Sequence, residues 1–169
     1  MALDYRTLIR DVPDFPIPGV LFRDVSPLLQ NAKAFAGVAD DFSRLVNLDN
    51  VDLFVGIESR GFIFAAQLAA KFNKGFLPLR KAGKLPPPVL QQSYKLEYGE
   101  ATLEIAPAAT PARVVICDDV LATGGTLQAA IELCTKAGYQ LEDVLVLINL
   151  KFLNSMKFKS QEVKSLIQY

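Results

Sequence analysis

The chain has 169 residues, enough for one domain with a real core, and is 51% hydrophobic and 21% charged. Its 18 basic and 18 acidic residues balance, which argues against gripping nucleic acid or an anionic membrane by bulk charge. There is no histidine. That excludes Ser-His-Asp triads, histidine–zinc sites and imidazole bases, and leaves proton transfer near neutrality to Asp, Glu, Lys, Tyr or Cys.

In chain order, "YRTLIRDV" predicts a short first helix. "PDFPIPGVLFRDVSP" follows with four prolines, too stiff for a helix and too irregular for a strand. A helix is expected from Asn31 to Val46, and "VDLFVGI" (Val51–Ile57) reads as a buried strand leading into "ESRG". Phe62 to Phe72 then forms an apolar helix with Ala65, Leu68, Ala69 and Phe72 on one face. "GFLPL" is another short strand. Arg80 to Glu100 carries three lysines, two glycines and three consecutive prolines, and reads as a long excursion outside the core. "ATLEI" alternates like a half-exposed strand, and "RVVIC" is a buried one. Leu127, Ala130, Ile131 and Cys134 line the next helix, with Gly138 suited to its end. "VLVLINL" is the last central strand. Cys117 and Cys134 both fall on apolar positions, as two buried thiols in a reducing compartment would. "MALDYRTLIRDV" lacks the basic start and apolar core of a secretory signal, and no run approaches the roughly 20 apolar residues of a membrane span. A cytoplasmic location is expected.

Strand alternating with helix, with apolar strands and crossovers, implies an α/β domain whose parallel sheet is covered on both faces. Ligands of such sheets sit at the carboxyl ends of the strands. Three stretches fall there: "ESRG", the excursion after "FLPLR", and "DDVLATGGT". In the last, Gly124 and Gly125 lack Cβ atoms, so the backbone N–H groups of Ala122 to Thr126 can close around an anion at a helix N-terminus. Thr123 and Thr126 add hydroxyls. The stretch is neither a Walker loop nor a dinucleotide fingerprint. A helix entry with a threonine N-cap is the alternative. Asp118 and Asp119 sharpen the choice. Acids at a strand end must bond something, and beside a phosphate cradle they can accept from sugar hydroxyls or sit near a metal ion. A ribose 5-phosphate fits both halves. Capping of the next turn by either aspartate is the simpler reading.

"VVICDDVLATGGT" resembles the phosphoribosyl-pyrophosphate motif of the type I phosphoribosyltransferase family. "DFPIPGVLFRDVSPLL", "GIESRGFIF", "PLRKAGKLP" and "YKLEYGEATLEI" resemble its adenine phosphoribosyltransferase branch. The five segments keep the family's order and cover most of residues 12–131; the last 20 residues carry little of the signal. The resemblance implies one domain over 1–169, with a parallel sheet flanked by helices, a small N-terminal hood at about 1–30 and a mobile catalytic loop at about 84–100. It implies purine salvage, joining adenine to phosphoribosyl pyrophosphate (PRPP) to give AMP and pyrophosphate, with Mg2+. The metal would be held mainly by pyrophosphate, ribose and water, with no ligand assigned on the protein.

By the same resemblance, Ala122, Thr123, Gly124, Gly125 and Thr126 take the 5′-phosphate, and Asp118 and Asp119 the ribose hydroxyls. Arg60, with Glu58 and Ser59 beside it, and Arg80, Lys81 and Lys84 take the pyrophosphate. Leu21, Phe22, Arg23 and Val120 hold adenine. Phe22 offers a stacking face, and the Arg23 backbone reads the 6-amino edge. Glu97 handles the purine proton and Tyr98 closes over the sugar phosphate. A homodimer is expected, with no nucleic acid or membrane partner. Two departures stand out: Glu58 occupies a position where the family varies between aspartate and glutamate, and Pro86–Pro88 is stiff for a mobile lid. The competing readings are a phosphoribosyltransferase for a 6-oxopurine or orotate, and a non-catalytic PRPP sensor.

Overall fold

The structure is a computed structural model and describes residues 3–96 and 99–169. A 3-10 turn at Tyr5–Leu8 leads into strands Arg10–Pro13 (β1) and Leu21–Asp24 (β2). Helices Ser26–Gln30 (α1) and Ala32–Ser43 (α2) follow, then strand Leu53–Ile57 (β3), helix Gly61–Lys71 (α3) and strand Gly75–Lys81 (β4). Strands Leu90–Leu96 (β5), Gly99–Ile105 (β6) and Arg113–Leu121 (β7) precede helix Gly125–Lys136 (α4) and strand Gln140–Asn149 (β8). Short strands Lys157–Phe158 (β9) and Gln161–Glu162 (β10) form a small hairpin, and Lys164–Gln168 (β11) is the last strand.

The main sheet runs β11-β8-β7-β3-β4-β6-β5. Its first five strands are parallel, and β6 and β5 are antiparallel additions. Side-chain alternation explains the continuous apolar runs. Phe54, Val115, Cys117, Leu145 and Leu147 face one cluster, with Val38, Phe42, Phe64 and Leu68 from α2 and α3. Val55, Ile57, Val114, Ile116, Val144 and Val146 face the other, with Leu127, Leu133 and Cys134 from α4. Phe42, Phe54 and Phe64 are fully buried, each worth about 1.5–3 kcal/mol of transfer from water. Asn31 starts α2 by accepting the Ala34 amide at 3.0 Å. Gly138 ends α4 with φ +91°, a conformation that favours glycine.

Three expectations change. The first segment is a 3-10 turn and then a strand, because the residues from Arg10 pair antiparallel with Leu21–Asp24. The proline-rich stretch therefore contributes a strand to a separate two-stranded sheet. The excursion over 84–100 is strand from Leu90: β5 pairs with β6 from Leu90↔Ile105 to Leu96↔Gly99, and Tyr94 packs on the α4-side core. The "VLVLINL" strand is interior to the sheet, as expected, and β11, which no sequence pattern marked, pairs beyond it. Both cysteines are buried, as expected. Among the described residues no helix is long and apolar enough to cross a membrane.

From β3 the chain crosses through α3 to β4 on one side, and from β7 through α4 to β8 on the other. Right-handed crossovers running in opposite directions put the two helices on opposite faces. The seam between β3 and β7 is the point where the chain reverses direction, and ligands of open α/β sheets bind there.

Candidate active site

A cavity of about 980 Å³ opens over this seam, lined from the ends of β3 and β7, the start of α4, the β2 hairpin, Tyr94 and the segment after β8. It is at the upper end of ordinary small-molecule pockets, about 300–1,000 Å³. Both helices that begin at the seam do so without a side-chain cap: α3 follows Arg60 and α4 follows Gly124. Gly124 takes φ +95°. The threonine N-cap considered from the sequence is thus absent, which leaves the first N–H groups of α4 to face a ligand. Close packing fixes the seam. A Cβ on Gly61 would lie 2.6 Å from the Cys117 carbonyl oxygen, and one on Gly56 would lie 2.9 Å from the Phe62 Cα. Only glycine lets α3 start this near β7 and β3.

The two aspartates do not cap the turn. Asp119 is 5% exposed and meets Arg60, with Nε 2.5 Å from Oδ2. Asp118 Oδ1 accepts the Asp119 amide at 2.9 Å. Burial raises both pKa values. Asp118 goes well above its ordinary range through burial and then the charge of Asp119, whereas Arg60 opposes the rise at Asp119. The Arg60 guanidinium also lies over the Phe22 ring, 4.9 Å from its centroid.

Leu21, Phe22, Arg23, Glu58, Ser59, Arg60, Lys81, Asp118, Asp119, Val120 and all five cradle residues from Ala122 to Thr126 line the cavity. Arg80 and Lys84 do not. Arg80 holds Glu58 through Nε at 3.1 Å and a second guanidinium nitrogen at 3.3 Å, and donates to the Lys84 carbonyl at 3.2 Å. Glu58 also accepts the Lys81 amide at 3.0 Å. Its carboxyl is held below the ordinary value, first by Arg80 and then, against burial, by the Lys81 amide. Glu58 is therefore a strut between β3 and β4. The Arg23 side chain pairs with Asp11 and stacks on the Tyr169 ring at 4.0 Å. Glu97 and Tyr98 lie outside the described residues.

Residues not singled out from the sequence support or line the cavity. Asn154 donates to the Ala122 carbonyl at 2.8 Å and the Leu150 carbonyl at 3.0 Å, so the segment after β8 buttresses the cradle. Phe152, 68% exposed, and Leu153 line the opening with Leu21. β5 lies close over the cradle: a Cβ on Gly125 would come 3.3 Å from the Lys95 carbonyl oxygen. No local signal marks these residues, because each acts on a segment distant in sequence.

A model of the phosphoribosyl transferase domain family matches residues 24–151. An adenine phosphoribosyltransferase of Bdellovibrio bacteriovorus is 61% identical over 167 residues, covering 99% of this chain and 100% of its own. The adenine phosphoribosyltransferase of Thermoanaerobacter pseudethanolicus superposes with a TM-score of 0.89 at 39% identity, over 98% of each chain. That of Saccharomyces cerevisiae, solved with an imino-altritol bisphosphate and adenine, gives 0.85 at 35% identity, over 96% of this chain and 95% of that one.

Proposed function

The chain belongs to the phosphoribosyltransferase family, in its adenine phosphoribosyltransferase branch, and from that premise we propose how its residues divide the work. It is a purine salvage enzyme that transfers the 5-phosphoribosyl group of PRPP to adenine, giving AMP and pyrophosphate. The observation that carries the assignment of roles is the pair of uncapped helix N-termini opening on one cavity with two aspartates between them. The α4 end, with Thr123 and Thr126, takes the 5′-phosphate. Asp118 and Asp119 accept from the ribose hydroxyls. The α3 end, Ser59 and Arg60 take the pyrophosphate, with Lys81 on the same wall. Lys84 adds long-range charge, and Arg80 acts through Glu58 and the turn after β4. Fixed positive charge placed where the leaving group gathers negative charge is often the largest catalytic contribution. Adenine lies on Phe22 between the hairpin and Val120, with Leu21 at the rim. Tyr98 closes over the sugar phosphate, and Glu97 exchanges the purine proton.

Magnesium fits this site as a substrate-borne ion. Asp118 and Asp119 bring two carboxylates to the cavity, and magnesium characteristically keeps its waters and binds substrate phosphates with few carboxylates. We place it near Asp118 and Asp119, held mainly by pyrophosphate, ribose and water. When bound, it supplies positive charge to the departing pyrophosphate.

The purified protein should release pyrophosphate and form AMP when given PRPP, adenine and magnesium; absence of both products sinks the reading. Asp119→Asn removes a charged acceptor. It should weaken PRPP binding by about 1.5–3 kcal/mol, roughly ten- to a hundredfold in Kd, with the fold intact. Calorimetry showing wild-type affinity would return Asp119 to a structural role. We further propose a homodimer with Phe76 in its interface. Phe76 is 39% exposed and meets Phe62 edge-to-face at 5.6 Å, and a one-chain mass in solution would refute this. A cytoplasmic setting rests on the two buried thiols, and cell fractionation tests it.

A further inference from the structure

Glu104 is 1% exposed, on a strand whose alternation predicts one face open to water. Its carboxylate receives four N–H groups: the amides of Gly83 at 3.0 Å, Lys84 at 2.6 Å and Leu85 at 2.6 Å, and the side chain of Gln91 at 3.2 Å. Three consecutive amides converge on it because Gly83 takes φ +81° and turns the backbone inward. Burial alone would raise this carboxyl, but the four donors outweigh burial and bring it down to about 2 from the ordinary 4.5. It is a carboxylate at any pH at which the enzyme would be assayed.

The turn it holds lies at the surface, with Lys81, Ala82, Gly83 and Lys84 all exposed. Two other bonds steady it: the Ala82 amide to the Thr102 carbonyl at 2.9 Å, and Arg80 to the Lys84 carbonyl. Gln91 stands at the start of β5, the strand that leads to Glu97. One buried charge on β6 therefore ties the lysine turn and the start of β5 together.

We propose that Glu104 is a positioning residue of the transferase, fixing the turn that carries Lys81 and Lys84, and the root of β5, against the cavity. The inference rests on the reading of Lys81 as a pyrophosphate grip and of Lys84 as added charge beside it. Charge stabilisation works only if the charges are already in place when the leaving group departs. A neutral carboxamide at this position keeps one acceptor oxygen and sets an NH2 group against backbone N–H donors, so the turn loses its anchor without losing its sequence.

The test is steady-state kinetics on three variants: Glu104→Gln, the Lys81→Met/Lys84→Met pair, and all three changes together. Misplacement of about 1 Å can cost as much as a hundredfold. Glu104→Gln should therefore raise the KM for PRPP by roughly ten- to a hundredfold and leave that for adenine unchanged. A purely structural role would lower the melting temperature and spare this split. In the background lacking both lysines, the Glu104→Gln effect on the PRPP KM should largely vanish, as expected of residues acting through one another. An undiminished effect overturns the proposal. So does an unchanged PRPP KM in Glu104→Gln when the lysine pair shows a raised one. Lysine variants with a normal PRPP KM overturn the pyrophosphate reading instead, and this inference with it. Should Glu104→Gln fail to fold, amide exchange in the wild-type protein decides. The Lys84 and Leu85 amides should exchange far more slowly than in an unstructured peptide, and exchange at the unstructured rate rejects the anchor.

Discussion

Adenine is expected to exceed hypoxanthine in kcat/KM by about 10⁴–10⁵, the discrimination available to a site built to hydrogen-bond a group that the competitor lacks. The base would meet the backbone of the β2 hairpin. Arg23 cannot turn its side chain freely toward the base, because Asp11 and Tyr169 hold the guanidinium. What it presents is a backbone in fixed register, Arg23 opposite Asp11 and Phe22 opposite Val12. A carbonyl there would accept from the 6-amino group of adenine. A 6-oxo group would put oxygen against oxygen and leave two acceptors unsatisfied in a desolvated place. Pyrophosphate release measured with each base at saturating PRPP reads the ratio directly. Equal turnover of the two bases would show that some other contact chooses the base.

Glu97→Gln should lower kcat by roughly 10²–10⁴, the range for a lost general acid–base, while the melting temperature and both Michaelis constants move little. Adenine must lose a ring proton as N9 bonds to C1′, and in reverse AMP must gain one, at N7, before the base leaves. The chain contains no histidine to do this. Glu97 and Tyr98 lie outside the described residues, but the residues flanking the two are placed. Leu96 and Gly99 pair across β5 and β6, and the Lys95 carbonyl comes close to Gly125 at the cradle. The substitution keeps shape and hydrogen-bonding reach and removes the exchangeable proton. AMP and adenine turned over at the wild-type rate would leave Arg60, the lysines and magnesium to carry the reaction without acid–base help.

The central sheet was legible because its strands are buried on both faces. Runs such as Val114–Cys117 are then continuously apolar and hard to mistake. The cradle was legible because Gly124 and Gly125 serve a backbone need that local sequence displays. β5 was hidden by its composition: "LQQSYKL" shows no apolar run, and its place comes from pairing with β6 and from Tyr94 reaching the α4 core. That Glu58, 22 residues before Arg80, pairs with its guanidinium is a tertiary fact that the local charge run does not display. Asn154 and Glu104 were invisible for the same reason, since what each holds lies on another segment. β11 was missed because "KSLIQ" is short and only partly apolar, and owes its order to β8.

Among the described residues, the β1–β2 hairpin shares no ladder hydrogen bond with the main sheet. Arg10 closes on Asp24 within it at 2.6 Å, and side chains moor it to the rest: Arg23 stacks on Tyr169, and Phe22 lies under the Arg60 guanidinium. The phosphate-facing parts, by contrast, are built into the seam, where a single added methyl at Gly61 would collide with β7. Choice of base and grip on the sugar phosphate therefore have different freedom to change. A new side chain at exposed Leu21 disturbs no strand register and no core contact of the sheet, whereas the same liberty at the seam would dislodge a helix. The molecule behaves like a tool with a fixed handle and an exchangeable bit: a new nucleobase could be accommodated at the hood while the phosphoribosyl machinery stayed as it is.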